Sequence, residues 1–489
     1  MSCRNYGGRQ RANPGRTPVA CSYSGLPFQP RESEMSEKRH AKVVIPAGGP
    51  DFEQYRQRLA QLADPGVDMG LLQVGVHEAV LRPHLALHLA ARHPGTPLQD
   101  LLVQAGAQRV EFITEADALA LANQRVPEDL QPKPVVTPLG NPQWHLDKAN
   151  VLPAWVAVGG PDDIDWGGIV VGQIDTGFTR HEAYGFPGTS WLRTDLCRTM
   201  MTSQIPSDYG PAAPQPDNGV DPMFFGALNK GHGTRIGATI SGCGGNLPGG
   251  LKFYGVAPKV PHVVVRITDT VAINTHQDDF VDALTYLVDV VRADVVNVSL
   301  GIFPPVASAA IRNVMAYARS RGTIVVCAAG NYVDPVVVPA ALDTAIAVAG
   351  VTAEDQPWSG SSFGPQVAFS APANNLWRPE PQRNGVGAQF AGGGDGTSYA
   401  TAITTGAAAL WLRAWGPQIN AMYGGRTARR AQAFKAAVQA TCRQPANWQP
   451  QPFGAGIIDI GRLCTDMAKA LPVLAGAPAL PPVPAPAVA

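Results

Sequence analysis

No apolar run in the 489-residue sequence reaches the ~20 residues that cross a bilayer, because Gly, Asp or Arg interrupts each long candidate. A transmembrane helix is therefore not expected. Charge imbalance is also missing: Lys+Arg and Asp+Glu stand at 38 each, and charged residues make up only 16% of the chain. No global field steers such a chain to nucleic acid or to an anionic membrane, and neither is expected as a partner. Cysteine is scarce, seven in all, and the odd number without zinc-site spacing argues against a disulfide framework and a structural zinc centre. Residues 1–36 are polar and rich in Arg, Pro and Gly, without the apolar centre of a secretory signal. The expectation is a cytoplasmic protein whose residues 1–40 are a disordered tail or an upstream extension, with Met35 as an alternative start.

What the chain does have is 45% hydrophobic residues, 52 Gly and 45 Pro, enough for a sizeable core and two domains. Residues 41–130 read as a small α+β unit: a strand at 41–45, a helix at 51–63, then shorter runs at 71–74, 81–92 and 98–106. Residues 131–143 are Pro-rich and read as an extended linker. From 144 to 470 Val/Ile-rich runs alternate with helical patterns: 169–174, 232–241, 263–267, 279–291, 295–300, 307–320, 323–329 and 345–351. Continuous β-branched runs imply strands buried on both faces. Their alternation with helices predicts an α/β fold, a doubly wound parallel sheet with its site at the strand carboxyl ends. Cys327, inside one such run, reads as a small buried hydrophobe. Residues 184–228, rich in Pro, Gly and Asp, read as a surface insertion, and 471–489 as a disordered Pro/Ala tail.

Three residues stand at element ends within that domain. Asp175 closes the run Ile169-Val170-Val171-Gly172-Gln173-Ile174, and a carboxylate there needs a hydrogen-bond donor such as an imidazole to offset its desolvation. His232 opens a helix flanked by glycines, with Gly233, Gly237 and Ala238 giving that helix a close-packing face. Ser398, in Gly396-Thr397-Ser398-Tyr399-Ala400, sits in the first turn of an apolar helix, where free N–H groups and the dipole favour negative charge. Each alone has an ordinary reading: a strand-ending turn, a satisfied core or capping histidine, a helix N-cap. Asp, His and Ser in this order in one α/β domain are much less ordinary.

With these motifs the sequence resembles the subtilisin-like serine peptidase family, whose chain order is Asp, His, Ser. The resemblance covers most of 144–470 and extends to Trp144-His145-Leu146, Tyr254-Gly255-Val256-Ala257-Pro258 and Phe453-Gly454-Ala455-Gly456-Ile457-Ile458-Asp459. It implies a subtilisin-like fold and a catalytic triad of Asp175, His232 and Ser398. It also implies an oxyanion-hole side chain at Asn331 in Ala328-Ala329-Gly330-Asn331. The substrate-binding segments would be Ser299-Leu300-Gly301, pairing with the substrate backbone, and Ala329-Gly330. The implied partner is a protein or peptide substrate, and the N-terminal unit is either a propeptide, cut between residues 131 and 144, or an adaptor domain that stays attached. No cofactor is required; calcium is compatible with the family and unsupported by any Asp/Glu cluster of calcium-loop spacing. His181-Glu182 lacks a second histidine at helical spacing and reads as a solvated loop.

The sequence departs from the family in three places. Ala402 stands where the family usually has proline, the 331–339 loop is short and so removes much of the usual pocket for the residue before the scissile bond, and the 184–228 insertion has no counterpart. The leading expectation is a serine endopeptidase; the alternative is a peptide-binding or scaffold protein that keeps the site without turnover.

Overall fold

The computed structural model describes residues 40–46, 52–62, 71–75, 78–81, 89, 92–113, 137–201, 218–223 and 229–474, except 304, 334 and 384. Expectations for the first 39 residues, for 131–136 of the linker, for the middle of the insertion and for the tail beyond 474 lie outside the described residues.

The N-terminal unit is an antiparallel sheet of β1 (His40–Val44), β2 (Leu71–Gly75), β3 (Glu78–Leu81) and β4 (Arg109–Ile113), in the order β2-β3-β1-β4, with helices α1 (Phe52–Leu62) and α2 (Leu98–Gln104). Ala41, Val43 and Ile45 alternate into one apolar cluster, where Tyr55 and Leu59, one helical turn apart on α1, meet them.

The second region is built on a sheet of seven strands, all parallel: β5 (Val171–Asp175), β6 (Arg198–Thr199), β9 (His262–Arg266), β10 (Val295–Val298), β11 (Ile324–Ala328), β12 (Ile346–Val351) and β13 (Val367–Pro372). Their order is β13-β12-β11-β10-β5-β9-β6. Two small hairpins stand apart from it, β7 (Cys243–Asn246) with β8 (Lys252–Tyr254), and β14 (Leu376–Pro379) with β15 (Phe390–Gly394).

Side chains of the central strands divide by parity. Val295, Ile324, Val326, Ile346 and Val348 belong to one core, which also holds Ile403, Ala407 and Leu410. Val296, Val298, Val325, Cys327 and Ala347 belong to the other, with Phe280, Leu284, Ile311 and Met315. Both faces are covered, which is why these strands read as continuous apolar runs. The doubly wound α/β expectation holds.

Helices α3 (Trp144–Lys148) and α4 (Val151–Ala157) precede β5, and the helices that cover the sheet include α5 (His232–Ser241), α6 (Gln277–Asp289), α7 (Ala309–Ser320) and α8 (Thr397–Tyr423). Helix α8 starts at Thr397 and buries Ala402 completely, so the missing proline does not disturb helix entry. It bends near Trp415 (φ −121°), two residues before Pro417, which removes a backbone donor and crowds the preceding turn.

The described ends of the 184–228 stretch are not a surface loop. Tyr184 is buried and donates from Oη to Thr234 O at 3.0 Å, Cys197 is buried, and Arg198–Thr199 forms the edge strand β6. Polar composition concealed that these ends dock on β9 and α5. Of the linker, 138–140 form a 3-10 turn, and Thr137 Oγ1 accepts from Trp377 Nε1 at 3.3 Å, so this end is packed rather than extended.

Candidate active site

Asp175 is the last residue of β5 and fully buried. Its Oδ1 accepts the Thr176 N–H at 2.7 Å, and its Oδ2 accepts the Gln173 amide Nε2 at 3.0 Å. Gln173 also donates to Gly233 O at 3.0 Å. Sequence reading passed over this glutamine, yet it is the one polar residue inside the strand and, at i−2 from Asp175, projects to the same face. That parity is the signal that finds it. Complete burial, and after it the nearby Asp175 charge, push the neighbouring Tyr184 phenol well above its ordinary range.

His232 is the first residue of α5, and its backbone N–H is held by Asn229 O at 3.0 Å. The helix is buried at every position and approaches β5 closely. A Cβ on Gly233 would stand 2.0 Å from Gly177 O, and one on Gly237 would stand 2.3 Å from Tyr184 Oη and 2.4 Å from Gln173 Oε1. Only glycine permits that approach. The imidazole lies between the other two groups: His232 Nδ1 is 2.7 Å from Asp175 Oδ1, and Nε2 is 3.2 Å from Ser398 Oγ. Asp175, His232 and Ser398, separated by up to 223 residues (398 − 175) in sequence, form one hydrogen-bonded array.

Ser398 is the second residue of α8 and 5% exposed. Asn331 enters through its side-chain carbonyl: Oδ1 accepts both the Thr397 N–H and the Thr397 hydroxyl at 2.8 Å. The opposite end of that amide, Nδ2, is the atom nearest to where a Gly396 Cβ would be, at 3.4 Å, with Ser398 Cβ at 3.9 Å. Thr397 thereby fixes which end of Asn331 faces Ser398. Sequence reading gave Thr397 no such role. The array can transfer the Ser398 proton to an imidazole oriented by a carboxylate, with Asn331 Nδ2 and the Ser398 N–H on hand for negative charge.

The segments expected to bind substrate lie beside this array, and most of their backbone is already engaged. Ser299 Oγ donates to Ser398 O at 3.3 Å, and Leu300 is buried in an apolar cluster. Gly301, expected to offer a free strand edge, donates its N–H to Val271 O and accepts from Ile273 N, both at 2.9 Å. That expectation is corrected, because the chain itself occupies the edge. Ala329 bonds to Val348 O at 3.0 Å and to Val337 N at 2.9 Å, and Gly330 accepts from Ser362 N at 2.8 Å. The short 331–339 loop has a visible consequence: Val337 lies between the two segments. A Cβ on Gly301 would meet Val337 Cγ2 at 2.7 Å, and one on Gly330 would meet Val337 Cγ1 at 2.8 Å.

His181 is not in a solvated loop. It is fully buried, its Nδ1 accepts the Ala183 N–H and its Nε2 lies 3.0 Å from Gln389 O, an interior cap formed at the start of a 3-10 turn. Burial holds its pKa down at about 4. Among the described residues no group of three His, Cys, Asp or Glu side chains could hold a metal ion, and no helix is long and apolar enough to cross a membrane.

The model of the subtilase family matches residues 167–447, a span that contains Asp175, His232, Asn331 and Ser398. Subtilisin NAT of Bacillus subtilis subsp. natto is 31% identical over 186 residues, 37% of this chain and 45% of that protein. Thermitase of Thermoactinomyces vulgaris is 30% identical over 182 residues, 37% of this chain and 61% of that protein. The chain thus spans about half the length of the relatives it matches. A protease from Pseudoalteromonas arctica superposes with a TM-score of 0.53 at 21% identity, covering 67% of this chain and 97% of that one, which is a likeness of fold.

Proposed function

The chain belongs to the subtilase family, and we propose that it is a serine endopeptidase that cleaves peptide bonds through Asp175, His232 and Ser398. The observation that carries the reading is the position of His232, its two ring nitrogens 2.7 Å from Asp175 Oδ1 and 3.2 Å from Ser398 Oγ.

His232 Nε2 accepts the Ser398 proton as Oγ attacks the peptide carbonyl, and Asp175 holds the Nδ1–H tautomer and stabilises the imidazolium that forms. Negative charge on the former carbonyl oxygen is met by Asn331 Nδ2 and the Ser398 N–H. Loss of one such donor costs about 2.7–4 kcal/mol of transition-state stabilisation, a value borrowed from subtilisin itself. The imidazolium then protonates the leaving amine, and water, activated by the same imidazole, hydrolyses the acyl-enzyme.

Within this reading the substrate is a protein or peptide, the setting is cytoplasmic and the N-terminal α+β unit is a propeptide. Because Thr137 accepts from Trp377 and Pro138 is buried, its removal falls at 131–136 rather than nearer Trp144. Hydrolysis of a denatured protein by the wild type and by Ser398→Ala tests the proposal. Equal rates would reject it, and tight binding of unfolded protein without hydrolysis would favour the scaffold alternative.

A further inference from the structure

Strand β5 lies between β9 and β10 and ends at Asp175, paired with Arg266 of β9, while its last β10 partner is Val298. Both neighbouring chains run on past that end, one through residues 267–274 and the other through 299–303. Above a terminated strand, two such chains enclose a slot one strand wide, in which an extended peptide gains backbone hydrogen bonds from both sides. Here the slot lies beside the candidate catalytic groups: Ser299 Oγ donates to Ser398 O, and Asn229, whose backbone O holds the His232 N–H, also accepts Val271 N at 3.0 Å and Thr270 Oγ1 at 3.2 Å through its side chain.

In this chain the slot is shut. Residues 272 and 301 form a parallel bridge, with the Gly301 N–H on Val271 O and the Ile273 N–H on Gly301 O, both at 2.9 Å. Asn274 extends the closure with its side chain, donating from Nδ2 to Phe303 O at 2.6 Å and accepting Phe303 N at 3.4 Å. The far side of the 301–303 chain is already covered, since Ile302 donates to Val338 O at 2.8 Å and accepts from Val338 N at 3.3 Å. No polar backbone group of Gly301 is left for a ligand.

We propose that residues 271–274 form a strap that sets substrate specificity, by occupying the strand edge that the acyl side of an extended substrate would otherwise use. A substrate with one or two residues before the scissile bond reaches Ser398 with the strap in place. One with three or four must first separate 271–274 from 301–303, and the hydrogen bonds it gains replace ones the chain already had. Added acyl-side residues therefore bring little gain. The inference rests on the peptidase reading for its consequence, though not for the contact itself.

Two measurements on the full chain test it. The first is kcat/KM for N-acetyl-alanine thiobenzyl esters with one, two, three and four alanines, in the wild type and in Asn274→Ala. The strap predicts a nearly flat wild-type series beyond two alanines. Asn274→Ala, which loses two exposed hydrogen bonds of the closure, should raise the ratio of four-residue to one-residue kcat/KM by about fivefold with the one-residue rate unchanged. A wild-type series that climbs steeply through the third and fourth alanine, with the ratio unmoved in Asn274→Ala, overturns the proposal. The second is amide hydrogen exchange at Gly301 and Ile273, which needs no turnover. Protection of both amides in the wild type, reduced in Asn274→Ala, supports the strap, and fast wild-type exchange overturns it. If no ester is cleaved, the peptidase reading fails and the exchange result still decides whether the strap exists.

Discussion

Replacing Gln173 with leucine removes the donor that holds Asp175 Oδ2 at 3.0 Å while keeping a side chain of similar size. The site is fully buried, so water cannot take the place of the amide. A hydrogen bond to a charged partner contributes about 1.5–3 kcal/mol. Gly233 O loses an acceptor interaction as well, so unfolding free energy should fall by about 2–4 kcal/mol. The same carboxylate loses one of its anchors, and if about half of that bond's worth is felt as misorientation of His232, kcat falls about threefold to tenfold. KM should change little, because Gln173 is walled off from substrate by α5. Urea unfolding and steady-state kinetics on one preparation check both halves. Loss of stability with kcat untouched would refute the claim that Gln173 positions Asp175, and no change in either would refute the hydrogen bond.

Val337→Ala should open the space between Gly301 and Gly330. It should cost about 1.5–3 kcal/mol of stability and raise kcat/KM for substrates with Phe before the scissile bond relative to Ala; an unchanged ratio would show that Val337 does not limit the pocket. Acid should destabilise the fold through buried neutral histidines, since burial lowers His145 and His262 to about 3 and His181 to about 4. The unfolded chain takes up these protons near pH 6.5 and the folded chain does not, so stability is present above that pH and is lost as pH falls toward the folded values. Between pH 7 and 5.5 the three together predict a loss of about 3–4 kcal/mol in urea unfolding; a flat profile over that range would contradict their burial.

The sequence made the second region legible because its strands are buried on both faces and its helices are amphipathic or small-residue rich. Val295, Ile324 and Ile346 begin runs that no loop would carry, and α5 is bounded as its glycines suggest. Chain order was enough to single out Asp175, His232 and Ser398, since each lies next to a small-residue turn, whereas Asn331 entered only through the family resemblance. What stayed hidden depends on distant pieces meeting. Gln173 looks like a strand residue until β5 meets α5, and His181 looks solvated until Gln389 comes over it. Gly301 looks like an open edge because nothing in the 271–274 sequence announces that it folds across. Strand β4 was a plainer omission, for Val110 and Phe112 alternate with charged residues in a recognisable strand pattern.

Peptidase activity in this chain depends on whether His232 activates Ser398. Intact mass spectrometry of the purified chain before and after a fluorophosphonate tests this most directly, with the adduct located by peptide mapping. One adduct is expected, on Ser398, absent in His232→Ala, and the unlabelled mass reports in the same spectrum whether the N-terminal unit has been removed. A wild-type chain that stays unlabelled at Ser398 after proteolytic removal of residues before 137, or a His232→Ala chain labelled as readily as wild type, would contradict it.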